Sequence, residues 1–303
     1  MKRIFLLLSA ATLIISCSKI DQGIPDSDEM RFAPQHFSNS QSSANGPNTK
    51  ATATAFEAGD KIGLFATKYN GENAVPLEIS GNYANNSAVT FNGTKWTAQP
   101  AVFWADGKFD IYAYYPFIPF SKLLSVDEQS FSVALDQSTA ETADALSGYE
   151  ASDLLWAKNT SVTKMDVVPL IFRHTMSRLV VNLVKGEGYT GDIPADAIVR
   201  VHNTVPHSYV DLASGIVTKN PYESPKSITA MKVSNGVYAA IIVPQRITTR
   251  LPFVEILTSG VSYLIESTFI FKPATQHTIN IMLSNNPEQV KIIIGGELEG
   301  GWN

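Results

Sequence analysis

The 303-residue chain is predicted to fold as an all-β protein, two antiparallel β-sandwiches in tandem. Short runs alternate between apolar and polar residues with period two, the signature of strands buried on one face. Turn dipeptides (Asn92-Gly93, Asp106-Gly107, Ser214-Gly215, Asn235-Gly236, Ser259-Gly260) recur between these runs. Helical segments do not intervene, which argues against a βαβ enzyme fold. Charged residues are 17% of the chain, against roughly 25% in an average globular protein. Apolar burial and backbone hydrogen bonds must therefore hold the fold.

The N-terminus reads separately. Lys2 and Arg3 precede an apolar run, Ile4 to Ile15, that ends Ile14-Ile15-Ser16-Cys17. A dozen apolar residues are too few for a bilayer core that needs about 20, so residues 1–16 read as a signal peptide. The pattern resembles the bacterial lipoprotein signal, in which Cys17 is acylated and becomes the first mature residue. The expected result is a chain anchored in a membrane by lipid. Cys17 is the only cysteine, so no thiol remains for a disulfide, a metal or a nucleophile. Residues 17–29 read as a tether. Ser38 to Lys50 (SNSQSSANGPNTK) has almost nothing apolar to bury and reads as an exposed loop. Between them, Met30-Arg31-Phe32-Ala33 alternates and is a candidate strand.

From residue 51 onward the pattern is β. Phe109, Ile111, Ala113 and Tyr115 fall on one face of a strand that Pro116 ends, since proline has no N–H for the ladder. Arg178–Leu183 and His277–Leu283 alternate in the same way. Val237–Val243 and Val290–Ile294 are continuously apolar, as expected of strands covered on both faces. Ser138–Tyr149 alone tolerates a helix and could equally be a loop. The first sandwich is expected over residues 30–183 and the second over 184–303, with the flexible Gly186-Glu187-Gly188 as seam.

Chemistry finds little support. Without the leader the chain holds 21 Lys and Arg against 28 Asp and Glu, with no dense basic cluster, which gives no support to nucleic-acid binding. His174, Ser177 and Asp153 can be written as a triad, but Ser177 lies on no Gly-x-Ser-x-Gly elbow. His202 and His207 match no zinc spacing, and there is no P-loop. We expect no catalytic residue, metal or cofactor. Trp96, Tyr69, Tyr83 and Tyr222 sit in polar settings and could form a glycan platform if they share a surface.

Several motifs in order carry a family resemblance. Phe56-Glu57-Ala58-Gly59-Asp60-Lys61-Ile62-Gly63-Leu64-Phe65-Ala66 resembles the F-x-x-G-D-x-I-G-L-F-A segment of fimbrillin-like proteins. Trp104, then Ile111–Pro116, Asp153–Ala157 and Leu170-Ile171-Phe172-Arg173-His174-Thr175-Met176-Ser177-Arg178-Leu179 continue the match. The resemblance implies lipoprotein-derived subunits of type V pili in Gram-negative bacteria, with two transthyretin-like sandwich domains. It implies as partners other pilin subunits, the outer membrane through the Cys17 lipid, a maturation protease, and a ligand on a host or bacterial surface. Physically, Gly59-Asp60 is a turn, Gly63 permits close backbone approach, and Trp104, Trp156, Tyr112 and Tyr115 supply core area.

In the family, many shaft subunits are cut by an Arg-specific protease before the F-x-x-G-D segment. Here Lys50, followed by Ala51, stands where an Arg is common, and the nearest Arg is Arg31. Either a protease accepting lysine cuts between Lys50 and Ala51, or the subunit stays lipidated as an anchor or accessory component. Release of residues 30–50 would open a sheet edge for strand addition by a neighbour. The expected donor is Val290-Lys291-Ile292-Ile293-Ile294, with a Gly-rich tail after it; the alternative is that this strand pairs only within its own chain.

Overall fold

The computed structural model describes residues 28–37, 55–286 and 290–299, and these are almost entirely β. The first half holds β1 (Phe32–His36), β2 (Lys61–Lys68), β3 (Ala84–Phe91), β4 (Trp96–Gln99), β5 (Phe109–Tyr115), β6 (Gln129–Ser132), β7 (Leu155–Val162) and β8 (Val168–His174). The second holds β9 (Ser177–Lys185), β10 (Ile198–Thr204), β11 (His207–Asp211), β12 (Ile216–Lys219), β13 (Lys226–Thr229) and β14 (Met231–Ser234). It is completed by β15 (Val237–Ile242), β16 (Gln245–Thr258), β17 (Val261–Phe271), β18 (Thr275–Leu283) and β19 (Lys291–Glu299).

Seven strands of the first half form one sheet in the order β1-β8-β7-β5-β2-β3-β4. Its two ends meet, because residues 28–30 bond to residues 102–104: Met30 N–H donates to Val102 O at 2.7 Å, and Trp104 N–H to Asp28 O. The sheet is thus rolled around a core of Met30, Phe32, Ile62, Leu64, Trp104, Leu170 and Phe172. In β5 the alternation is split between two cores. Phe109, Ile111, Ala113 and Tyr115 face the inside of the roll. Tyr112 and Tyr114 join Phe65 in the core shared with the second half. Every residue of β5 is buried for that reason. Gly63 is required here, since a Cβ would stand 2.3 Å from the Tyr114 ring.

In the second half, a five-stranded sheet β14-β15-β9-β18-β19 and a four-stranded sheet β13-β10-β16-β17 share one core, with Leu179, Val181, Ile279 and Ile281 from the first and Val199, Val254, Ile256 and Phe269 from the second. The three-stranded sheet β12-β11-β6 extends it and recruits β6 from the first half of the sequence.

The seam between the halves differs from the one the sequence suggests. Arg178–Leu183 was expected to close the sandwich of residues 30–183, yet as part of β9 it lies between β15 and β18 in the second half. Hydrogen bonding changes sheet at Thr175-Met176, not at Gly186-Glu187-Gly188, which only turns the chain at the end of β9 (Tyr189 N–H to Gly186 O, 3.1 Å). The deciding factor is that Leu179, Val181 and Leu183 are buried in the second core. The continuously apolar Val290–Ile294 also departs from expectation: it is not covered on both faces. β19 is an edge strand, and Ile293 and Ile294 are 48% and 66% exposed. Ser138–Tyr149 is a loop leading into a single 3-10 turn, Glu150–Ser152.

Candidate functional site at the N-terminal strand

β1 is the element around which the site is built. Its burial alternates: Phe32 and Pro34 point inward, following Met30, while Arg31 and Gln35 face solvent. It runs parallel to β8, with Phe32 opposite Val168 and His36 opposite Phe172. Val168 N–H donates to Arg31 O, and Phe37 N–H to Phe172 O, each at 2.8 Å. Burying Met30 and Phe32 contributes about 1.5–3 kcal/mol each. The chain leaves this strand at Phe37 and returns at Ala55, and residues 38–54 are the covalent link between the two.

A polar clamp closes the end of β1. The His36 ring rests on Phe56 at 4.5 Å between centroids, and Phe56 meets Trp96, Tyr115 and Phe172 edge-on. Beneath, Tyr115 Oη lies 3.1 Å from Asp60 Oδ1 and 3.0 Å from Glu150 Oε1. A phenol has one proton to donate, so two ionised carboxylates cannot both be satisfied by it. Burial accordingly pushes Glu150 up to about 7 and raises Asp60, while Tyr115 is also raised, first by burial and then by the two carboxylates. Tyr115 keeps its proton, and Glu150 takes one up at a higher pH than an exposed carboxylate would. Burial, with His174 nearby, pushes His36 down to about 4, so it is neutral when β1 is seated. Asp60 also caps the turn before β2 by accepting the Glu57 N–H at 2.6 Å, and Gly59 takes φ +106° there.

The other nominated residues fall as follows. Cys17, Lys50 and Ala51 lie outside the described residues. Of the proposed donor strand, Val290 precedes β19 and Lys291–Ile294 begin it; Ile292 pairs with Ile281 of the same chain. The Gly-rich stretch after it is not a free tail at Gly295-Gly296, because β19 continues through both to Glu299. His174 Nδ1 bonds Asp153 Oδ1 at 2.9 Å in a buried pair, but Ser177 directs its hydroxyl to Thr275 O. His202 and His207 separate onto β10 and β11. Among the described residues no cluster of His, Cys, Asp or Glu could hold a metal. Trp96 stacks on Phe91, Tyr69 bonds Asp110 and Ser161, and Tyr83 packs on Phe109, while Tyr222 projects alone, 93% exposed.

Sequence reasoning missed the lock between the halves. Trp156 Nε1 donates to Leu212 O at 2.7 Å, and Gly215 (φ +74°) passes under the indole so closely that a Cβ would be 2.6 Å from it. A Ser-Gly turn within the β11–β12 hairpin gives no hint of such a partner, since it is reached only by folding.

With this geometry in place, comparison with known proteins is informative. The profile of one family, described as fimbrillin-like, matches residues 49–299. The chain belongs to the fimbrillin-like family. A candidate fimbrium tip subunit, Fim1C of Bacteroides ovatus, is 37% identical over 81 residues, 24% of this chain. The match spans only 13% of that protein's length. Solved structures show the same fold. A candidate cell adhesion protein from Bacteroides uniformis has a TM-score of 0.61 at 18% identity, over 88% of this chain and 96% of its own. Another from Bacteroides ovatus has a TM-score of 0.63 at 16% identity, over 92% and 99%.

Proposed function

We propose that the protein is a structural subunit of a cell-surface fimbrium that serves adhesion, assembled by strand exchange between copies or with other pilin subunits. It is exported as a lipoprotein through Cys17, reaches the outer membrane on that lipid, and is cut by a maturation protease between Lys50 and Ala51. The observation that carries this reading is β1. Its side chains complete the core of the roll, yet it precedes the 38–54 link, so a cut at Lys50 leaves it held by noncovalent contacts alone. Its departure would uncover a groove along β8 with an unpaired backbone edge, a template for an incoming strand. β19 suits the donor role: it is an edge strand with exposed isoleucines, and its loss leaves β18 paired to β9. Pairing of this head-to-tail kind does not close, so it yields filaments. Adhesion and assembly require no catalysis, and no cofactor is invoked.

The N-terminus of the chain recovered from purified fibres tests the route. A chain beginning at Ala51 supports a shaft or tip subunit. A chain still beginning at acylated Cys17 would refute cleavage and identify an anchor or accessory subunit.

A further inference from the structure

We infer that the open cleft beside the Tyr115 clamp is a binding site for a primary ammonium group, and that its occupant is the α-amine which a cut after Lys50 creates at Ala51. The inference rests on the cleavage put forward above, and its test makes the cut in vitro so that the two stand or fall separately. The cleft lies between the turn before β2 (Glu57–Lys61), the end of β5 with Pro116 and Phe117, and residues 141–150, and it encloses about 460 Å³. The wall formed by residues 141–150 is fixed by its own hydrogen bonds. Thr142 N–H donates to Ala145 O at 2.9 Å, Gly148 N–H to Thr139 O at 3.1 Å, and Glu150 N–H to Ser147 Oγ at 3.1 Å. No lining residue precedes Glu57, so the cleft belongs wholly to the chain that remains after the cut.

Three observations select the occupant. First, the lining sets five carboxylates (Glu57, Asp60, Glu141, Asp144 and Glu150) against one cation, Lys61, and so attracts positive charge. Among the described residues no cluster of His, Cys, Asp or Glu could hold a metal ion. An ammonium, with three donors on one atom, needs only one or two carboxylate oxygens. Second, one carboxylate is short of a donor. The single proton of Tyr115 faces both Asp60 and Glu150, and Asp60 also accepts the Glu57 N–H. Glu150 is only 9% exposed, and among the described residues the shared phenol is the one donor its carboxylate meets. A nearly buried carboxylate in that state is costly, and an ammonium supplies both the charge and the N–H it lacks. Third, connectivity brings the amine there. Ala55 lines the small hollow that also touches Asp60, Tyr115 and Glu150. Four residues, 51–54, join Ala55 to the cut, so the new end stays within about 14 Å of it. In the uncut chain the same nitrogen is an uncharged amide; the cut is what makes the ligand. A new end held in the cleft also stays out of the groove along β8 that an incoming strand needs.

The test uses the chain from Ser18 onward with Pro47→Ile, Asn48→Glu, Thr49→Gly and Lys50→Arg, a factor Xa site whose cutting leaves Ala51 first. Competitive acetylation across a pH series, read by mass spectrometry, follows the titration of the Ala51 amine. A free α-amine titrates at about 7.7–8.0, and the docked one should titrate about one unit higher at low salt, a tenfold change in its acid constant. Glu150→Gln should abolish most of that shift. Asp144→Asn, which leaves the Tyr115 clamp untouched, should abolish part of it. An α-amine that titrates at its ordinary value in the cut chain would overturn the proposal, as would a shift that survives both substitutions. A lysine amine protected instead, increasingly with protein concentration, would seat a second copy in the cleft and equally overturn it. None of these outcomes depends on whether cells cut at Lys50, which the N-terminus recovered from fibres decides.

Discussion

Replacing Glu150 with glutamine removes one carboxylate from the Tyr115 clamp while retaining a side chain that can donate to the phenol oxygen. In the native chain Glu150 is raised from 4.5 to about 7, first by burial. At 1.36 kcal/mol per unit, ionising it in the folded protein costs about 3 kcal/mol, and relaxation of a partly solvated pair brings this to about 1–3. The sign follows from the raised value. The stabilising balance is fully present below about pH 4.5 and is lost as the pH rises through about 7. Glu150→Gln should therefore leave stability unchanged at about pH 4.5 and raise it by about 1–3 kcal/mol at about pH 8. Urea unfolding of both proteins across this range measures the difference, which cancels the titrating groups that do not interact with Glu150. A difference that is the same at both ends, or a variant less stable at the alkaline end, would refute the raised Glu150.

Three further outcomes follow from the geometry. His36 is depressed to about 4, so its contribution is present above 6.5 and lost as the pH falls through 4; His36→Phe should remove about 1–3 kcal/mol of acid sensitivity in the same urea series. Gly215→Ala should cost about 2–4 kcal/mol, because the new methyl meets the Trp156 ring at positive φ, and calorimetry should show a lower melting temperature. Deleting residues 290–303 should abolish polymers under assembly conditions while circular dichroism still reports a folded β protein; polymers of normal length would exclude β19 as donor.

Much of the candidate site was legible in the sequence for a physical reason. Met30-Arg31-Phe32-Ala33 announces a strand because a polar stretch surrounds it, so its alternation has no competing period; the paired strand itself starts two residues later, at Phe32. Gly63 was readable as a close approach because glycine inside a strand has few other uses, and the Tyr114 ring is what approaches it. The clamp was not legible. His36, Asp60, Tyr115 and Glu150 are spread over more than a hundred residues, and each alone resembles an ordinary surface or packing residue.

By itself the sequence determined the class of the fold and the approximate place of several single strands, because alternation, proline and turn dipeptides act over a few residues. It also carried the motifs by which the chain joins its family. Tertiary structure decided which sheet each strand entered. β9 follows β8 in the chain by two residues yet pairs with β15 and β18, because burying Leu179, Val181 and Leu183 in the second core outweighs adjacency in sequence. It also decided that Val290–Ile294, as apolar as any core strand, lies at an edge with its isoleucines partly bare. Hydrophobicity states that a strand can be buried; only the neighbours that folding supplies determine on how many sides it is.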